Sequence, residues 1–253
     1  MRRLRECCER TGTVVNRTLF VVACIGLELA GCASQEQAHP EVRTSVSVMT
    51  KERQSAMTPS EALQRLKEGN QRFAEGRSLP RDLPGEARAT AGGQYPIAAV
   101  VSCLDSRVSP ELVFDQGLGD IFSARVAGNI IDDDITGSLE FATQLSGAKL
   151  IVVVGHSACG AIKGACSQAE LGHLTQLLNK IEPAVRAMKL SVGGEPQKID
   201  AAFVDEVARE NVRQMLRRLL DDSPILKGRV DRGELNVVGA FQDLSTGRIE
   251  FLD

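Results

Sequence analysis

Residues 150–160 read Leu-Ile-Val-Val-Val-Gly-His-Ser-Ala-Cys-Gly, an apolar run that ends in a turn flanked by glycines. A continuous run rich in Val and Ile, without polar alternation, indicates a strand buried on both faces, as in the centre of a parallel sheet. The residues that follow the run, His156, Ser157 and Cys159, carry reactive or metal-binding side chains. Ligand sites of open parallel sheets gather at the carboxyl ends of strands, so this stretch predicts a fold class and a functional site together.

The same stretch spells most of the Gly-x-Ser-x-Gly nucleophile elbow of serine hydrolases, but Cys159 stands at the position of the second glycine. In elbow hydrolases an acid and then a histidine follow the serine along the chain. The only histidine after Ser157 is His173, and Glu170 is the only acid between them. Both fall in one helical pattern around 170–190, which cannot build a triad at the end of a strand. We therefore reject the esterase interpretation.

Two further apolar runs, Ile97–Ser102 and Asp120–Val126, are typical of strands. Short helical patterns lie between the runs, at Pro110–Asp115 and Thr136–Leu145. Strands separated by helices indicate βαβ crossovers and therefore a parallel sheet.

The C-terminal half adds helices and a hairpin. Helical patterns around 170–190 and at Ala201–Leu220 precede two apolar runs, Leu235–Phe241 and Arg248–Leu252, which are joined through Ser245-Thr246-Gly247. A short turn between two strands predicts an antiparallel pair. The predicted fold is therefore α/β, with a central, mostly parallel sheet, an antiparallel C-terminal edge and flanking helices.

A second group of polar residues follows the first predicted strand. Cys103, Asp105 and Arg107 come directly after it, and in a parallel sheet they share a rim with His156 and Cys159. Two thiolates and one imidazole suit Zn²⁺ in a tetrahedral site, with the fourth position left for water or a nearby carboxylate. Asp105 can supply that carboxylate, and the planar fork of Arg107 can keep it ionised.

Each of these motifs is weak evidence by itself, because Asp–Arg pairs also occur in ordinary turns and a single His-x-x-Cys is more often structural. Their position at two strand ends of one unit strengthens the prediction. Of the seven cysteines in the chain, Cys103, Cys159 and Cys166 fall in its central part. An odd number is a poor disulfide framework, which favours metal ligation for two of them. We expect Cys166 to pack as a small apolar residue.

The amino-acid composition limits the classes of partner that the protein can bind. The chain has 253 residues, of which 43% are hydrophobic, and its 30 Lys and Arg against 33 Asp and Glu give a formal charge of −3. This balance is ordinary for one globular enzyme domain with appendages. There is no global basic field, so we predict that nucleic acid is not a partner.

The N-terminus predicts export. An arginine-rich segment, 2–17, precedes an apolar run, 18–27, of about ten residues, which is too short to span a bilayer of roughly 30 Å but suits a signal peptide. Leu29-Ala30-Gly31-Cys32 then resembles the lipobox of bacterial lipoproteins, in which the cysteine is acylated. The alternative is a chance run of small residues in a disordered arm.

These signals divide the chain into three parts. We predict a lipoprotein-type signal peptide over 1–31, a flexible polar tether over 32–57 and a folded domain over 58–253. The domain begins with Thr58-Pro59-Ser60-Glu61, a capping box with proline at the first helical position. The expected location is the bacterial cell envelope, facing the periplasm, with the membrane contacted only through the lipid on Cys32.

Several stretches together resemble the β-class carbonic anhydrases. They are SCLDSRVSPELVFDQGLGDIFSARVAGN (102–129), GSLEFA (137–142), GHSACGAIKGA (155–165) and VVGAFQDLSTGRIEFL (237–252). The stretch ALQRLKEGNQRFAEG (62–76) is also similar to a helix of bacterial members. The resemblance covers the chain from residue 58 to its C-terminus and implies the β-carbonic anhydrase fold.

The resemblance implies one Zn²⁺ per subunit, bound by Cys103, His156 and Cys159, with water or Asp105 in the fourth position. It also implies reversible hydration of CO₂ to bicarbonate and a proton by attack of zinc-bound hydroxide. Asp105 and Arg107 correspond to the catalytic pair of the family. In that pair the carboxylate orients the nucleophile.

The family pocket lies at a subunit interface, which implies a homodimer or a tetramer that takes CO₂ and bicarbonate as its small-molecule partners. Gln94 matches a pocket glutamine that hydrogen-bonds the substrate in plant-type members. Phe122 matches an apolar wall residue, and Phe141 stands where plant members often carry tyrosine.

Two other functions stay open at this stage. Relatives hydrolyse CS₂ or COS on the same zinc site with altered access. A non-catalytic, zinc-stabilised envelope lipoprotein would keep the metal ligands but would have no need of the Asp105–Arg107 pair.

Overall fold

The computed structural model describes residues 46–194, 196 and 198–252. The predicted signal peptide over 1–31 and the predicted lipidation site Cys32 lie outside these residues. Among the helices of this part of the chain, none combines the length and the apolar character needed to cross a bilayer.

Within the described residues, a single five-stranded sheet has the strand order β2-β1-β3-β4-β5. The first four strands pair in parallel, and β5 runs antiparallel to β4. This arrangement confirms the predicted fold class. The strands are β1 (Ala98–Ser102), β2 (Ile121–Arg125), β3 (Leu150–His156), β4 (Asn236–Gln242) and β5 (Ile249–Leu252).

Helices cover both faces of this sheet. A 3-10 turn at Ala127–Asn129 and a π-helical turn at Phe141–Leu145 accompany them. The helices are α1 (Lys51–Ala56), α2 (Pro59–Ala74), α3 (Leu83–Thr90), α4 (Pro110–Val113), α5 (Asp133–Glu140), α6 (Gly160–Cys166), α7 (Gly172–Asn179), α8 (Glu182–Ser191), α9 (Ala201–Asp222) and α10 (Pro224–Asp231).

The central strands are apolar on both faces because each face meets its own core. Ile151 and Val153 of β3 point into a cluster with α6, α8 and α9, whereas Val152 and Val154 point into a cluster with α2 and α4. Side chains alternate across a strand, so an unbroken apolar run is what two covered faces require.

The pairing of β1 with β3 positions the functional residues. Ser102, the last residue of β1, lies opposite Val154 of β3, and both strands run in the same direction. Cys103 and His156 therefore emerge at the same edge of the sheet, as the sequence predicted, and the pairing shows that their strands are adjacent.

The structure confirms the capping box of α2 and corrects the boundary before it. Thr58 and Glu61 exchange both capping hydrogen bonds. The tether predicted over 32–57, however, already contains α1, and its Gln54 is buried and donates from Nε2 to the carbonyls of Pro96 (2.7 Å) and Ser146 (2.8 Å). These two hydrogen bonds attach α1 to the domain, although the sequence of α1 is polar and shows no helical periodicity. The domain therefore begins before Thr58.

The single helical pattern around 170–190 is also corrected, since it forms two helices, α7 and α8. Pro183 lies in the first turn of α8, where its missing N–H is tolerated, and it could not continue a helix from α7. The predicted helix at Thr136–Leu145 begins earlier, with α5 at Asp133, and continues as the π-helical turn.

Gly155 allows the close approach of α9 to β3. A Cβ placed there would lie 2.8 Å from Val212 Cγ2 and 3.4 Å from the carbonyl oxygen of Ala208, both on α9. We expect Gly155→Ala to lower the free energy of unfolding by about 1–3 kcal/mol, the usual cost of overpacking a core. Urea unfolding measures this, with Gly92→Ala as the control because nothing lies within 4 Å of a Cβ at that position. Equal stability of the two variants would show that α9 does not pack this closely.

Candidate metal centre

Cys103, His156 and Cys159 form a buried triangle at the carboxyl edge of the sheet. One ligand atom from each lies within 4.8 Å of those of the other two. The two sulfur atoms are 4.0 Å apart, much farther than the S–S bond of about 2.05 Å in a disulfide. Two thiolates on a tetrahedral zinc, with Zn–S near 2.3 Å, stand about 3.8 Å apart. The spacing therefore fits two ligands of one ion.

The His156 ring has one nitrogen engaged and one available. Nδ1 lies 2.9 Å from the carbonyl oxygen of Ser157, which assigns the proton to Nδ1 and the lone pair to Nε2. Nε2 is buried and has no hydrogen-bond partner among the described residues. An orphaned buried nitrogen beside two sulfurs is the arrangement a borderline-soft cation such as Zn²⁺ satisfies.

The two thiols share their protons unequally. The pKa of Cys103 is lowered because Cys159 donates to its sulfur, and the backbone N–H groups of Asp105 and Gly128 add to this effect. Contact with Cys103 and burial correspondingly raise the pKa of Cys159. One thiolate is thus readily formed, and a metal that binds both sulfurs must release the second proton.

Asp105 and Arg107 form a two-pronged ion pair beside the triangle. Arg107 Nε donates to Asp105 Oδ1 at 2.9 Å, and Nη2 donates to Oδ2 at 2.8 Å. These bonds hold the pKa of the Asp105 carboxyl well below its usual range, so the group is ionised at neutral pH. Of the four predicted metal ligands, the structure brings three into the triangle and engages both oxygens of the fourth, Asp105, with arginine.

Sequence reasoning missed Arg125, which fixes the loop after β1. Its Nε donates to the carbonyl of Cys103 at 3.2 Å, and its Nη2 donates to those of Leu104 and Asp105 at 3.1 and 2.6 Å. Arg125 ends β2 and lies opposite Ser102 in the parallel register. A basic residue at the end of the neighbouring strand was the signal available, but using it required knowing that β2 and β1 pair.

The turn between His156 and Cys159 is held from three sides. Ser157 N donates to the Gln242 carbonyl at 2.9 Å, and Leu244 N donates to Ser157 Oγ at 3.0 Å. Ala158 N donates to Oδ1 of Asp205 on α9, also at 2.9 Å. The contacts from beyond β4 and from α9 were invisible in the local sequence.

A model of the carbonic anhydrase family matches residues 98–249, a span that includes the whole triangle, the Asp105–Arg107 pair and Arg125. The chain also superposes on the solved structure of the β-carbonic anhydrase CcaA with a TM-score of 0.61 and 30% identity, over 76% of this chain and 95% of that one. The chain belongs to the β-carbonic anhydrase family.

Two relatives in sequence and a further solved structure are carbonic anhydrases as well. Carbonic anhydrase 2 of Mycobacterium tuberculosis H37Rv is 34% identical over 201 residues, covering 77% of this chain and 93% of the relative. The carbonic anhydrase of Mycolicibacterium smegmatis is 34% identical over 198 residues, with 76% and 92% covered. A structure among two tetrameric β-carbonic anhydrases of Sordaria macrospora has a TM-score of 0.62 at 28% identity, with 73% and 93% covered.

In this β-carbonic anhydrase, the predicted pocket residues do not all lie beside the triangle of their own chain. Gln94 precedes β1 and lines a cavity of about 490 Å³ at the amino edge of the sheet, the edge opposite Cys103. Phe122 and Phe141 contact each other edge to face, with ring centroids 6.2 Å apart. Phe141 is 51% exposed.

Proposed function

We propose that this enzyme catalyses the zinc-dependent, reversible hydration of CO₂ to bicarbonate and a proton. The observation that carries the proposal is the unpartnered Nε2 of His156, which faces two cysteine sulfurs beside an ionised, arginine-bound carboxylate. A purely structural zinc site would be closed by four protein ligands and would need no such carboxylate. Membership of the carbonic anhydrase family supports the same reaction.

In this proposal Cys103, His156 and Cys159 hold one Zn²⁺ per subunit. Bound there, the ion would lower the pKa of a water molecule towards neutrality and so supply a nucleophile near pH 7. The Nδ1–H bond of His156 to the Ser157 carbonyl fixes the ring plane and leaves Nε2 as the nitrogen that would bind the ion.

Asp105 is the orienting group. An ionised carboxylate can accept a hydrogen bond from the nucleophile, and its depressed pKa means that it does not retain the proton that the reaction releases. Arg107 fixes both carboxylate oxygens, and Arg125 fixes the backbone that carries them. These contacts would fix the orientation of the nucleophile before CO₂ arrives. A nucleophile that is already oriented lowers the activation barrier of the reaction.

We propose that the active form is a homodimer or a tetramer, in which Gln94, Phe122 and Phe141 complete the pocket of a neighbouring subunit. The tetrameric state of the Sordaria macrospora enzymes supports an oligomer, and the exposure of Phe141 leaves that side chain accessible to a neighbouring subunit. Sedimentation velocity of the purified domain tests it: a dimer or tetramer is expected, and an active monomer would contradict it.

The reaction is tested by stopped-flow measurement of CO₂ hydration, with CS₂ and COS hydrolysis measured on the same preparation. We expect hydration to dominate by orders of magnitude. Preferential hydrolysis of CS₂ or COS would assign the site to those substrates, and a zinc-loaded protein inactive on all three would indicate a non-catalytic metal site.

We further propose that the enzyme is a lipoprotein of the bacterial envelope that faces the periplasm. The support is sequence alone, namely the arginine-rich segment, the apolar run 18–27 and the lipobox-like Leu29-Ala30-Gly31-Cys32. Cys32→Ser is expected to shift the full-length protein from the membrane fraction to the soluble fraction or to block its processing. An unchanged membrane fraction and unchanged mass would refute lipidation at this cysteine.

A further inference from the structure

Ala158 has a backbone conformation that its side chain disfavours. Its φ angle is +54°, in the left-handed region. Residues with a Cβ rarely adopt that region, and they persist there only when their surroundings impose it. Ala158 lies between His156 and Cys159, so its conformation determines whether both ligands can face one ion.

The contact that accompanies this conformation comes from Asp205. The Ala158 N–H donates to Asp205 Oδ1 at 2.9 Å across 47 positions of sequence. Asp205 lies in the first turns of α9, and α9 is docked on β3 at Gly155, directly before His156. The position of the carboxylate is therefore set by the packing of helix on sheet, independently of the turn that it contacts.

We propose that Asp205 is a positioning residue of the metal centre. Its carboxylate holds the Ala158 N–H and so keeps the turn in the left-handed conformation that presents His156 Nε2 and Cys159 Sγ together. The inference rests on the proposed zinc site, and it assigns to α9 a role in preparing that site before the metal binds.

The test measures zinc affinity by competition with a chromophoric chelator. Asp205→Ala is expected to weaken zinc binding roughly 10- to 100-fold, the usual effect of removing a group that orients a ligand. Adding Ala158→Gly to that variant should restore most of the affinity, because glycine adopts positive φ without the penalty. Asp205→Asn, which keeps an acceptor oxygen, should bind zinc more tightly than Asp205→Ala.

The matched control is Glu206→Ala, which removes a carboxylate from the same helical turn, where the side chain is 57% exposed. It should leave zinc affinity unchanged. The Co²⁺-loaded forms supply a second readout, since the visible absorption bands of the ion report ligand geometry. The bands should shift in Asp205→Ala and return in the double variant.

Equal zinc affinity in Asp205→Ala and the wild type would overturn the inference. Failure of Ala158→Gly to restore affinity would also overturn it, because a purely electrostatic effect of Asp205 cannot be repaired by glycine. If Asp205→Ala does not fold, the double variant is still expected to fold and bind zinc, and its failure to do so would count against the inference. A wild-type protein that binds neither Zn²⁺ nor Co²⁺ would instead overturn the proposed function itself.

Discussion

Cys159→Ala is expected to abolish zinc binding and to reduce CO₂ hydration by on the order of 10³-fold or more, because without the ion no nucleophile forms near neutral pH. Cys159 begins the segment that enters α6, and the backbone N–H groups of Ile162 and Ala161 point at its sulfur. Its removal leaves one thiolate and one imidazole, too few protein ligands to hold Zn²⁺ firmly. Metal content by mass spectrometry and stopped-flow hydration on the same sample measure the two losses.

The matched control is Cys166→Ala. Cys166 is also buried and lies on α6, and burial raises the pKa of its thiol to about 11. It is not a member of the triangle, so the variant should keep its zinc and its activity. Loss of zinc in both variants, or retention in both, would contradict the assignment of Cys159 as a ligand.

Asp105→Asn is expected to retain zinc and lose about 100-fold or more in kcat, since the amide cannot serve as a charged acceptor and the nucleophile is no longer oriented. Arg107→Ala should act in the same direction but more weakly, because the carboxylate remains while losing both guanidinium bonds. Stopped-flow kinetics that separate kcat from KM, together with zinc content, are the measurements.

Asp133→Asn serves as the control for Asp105→Asn. Asp133 is exposed in the first turn of α5, so the same chemical change there should leave kcat unchanged. If Asp105→Asn kept wild-type kcat with zinc bound, Asp105 would not be the orienting group. If the variant lost its zinc, the carboxylate would have to be a ligand.

The sequence was sufficient to predict the parts of the fold that depend on local patterns. The unbroken Val and Ile run of β3 and the reciprocal hydrogen bonds of Thr58 and Glu61 follow from rules that act within a few residues. The triangle was also predictable, because parallel strands must deliver Cys103 and His156 to the same edge of the sheet.

The parts that escaped prediction depend on contacts between distant segments. Helix α1 is held by bonds from Gln54 to Pro96 and Ser146, which no local pattern encodes. Arg125 and Asp205 act on the site through backbone atoms of other elements. Such roles depend on strand register and helix docking, which exist only once the chain has folded.

The central claim is that a zinc ion in the Cys103–His156–Cys159 triangle carries the hydration reaction. Its most direct test is to strip the wild-type protein with a chelator and to measure stopped-flow CO₂ hydration while Zn²⁺ is returned. We predict that activity disappears with the metal and rises linearly with added zinc until each chain holds one ion. Hydration that persists in the stripped protein, or that does not return as zinc refills the site, would contradict the account.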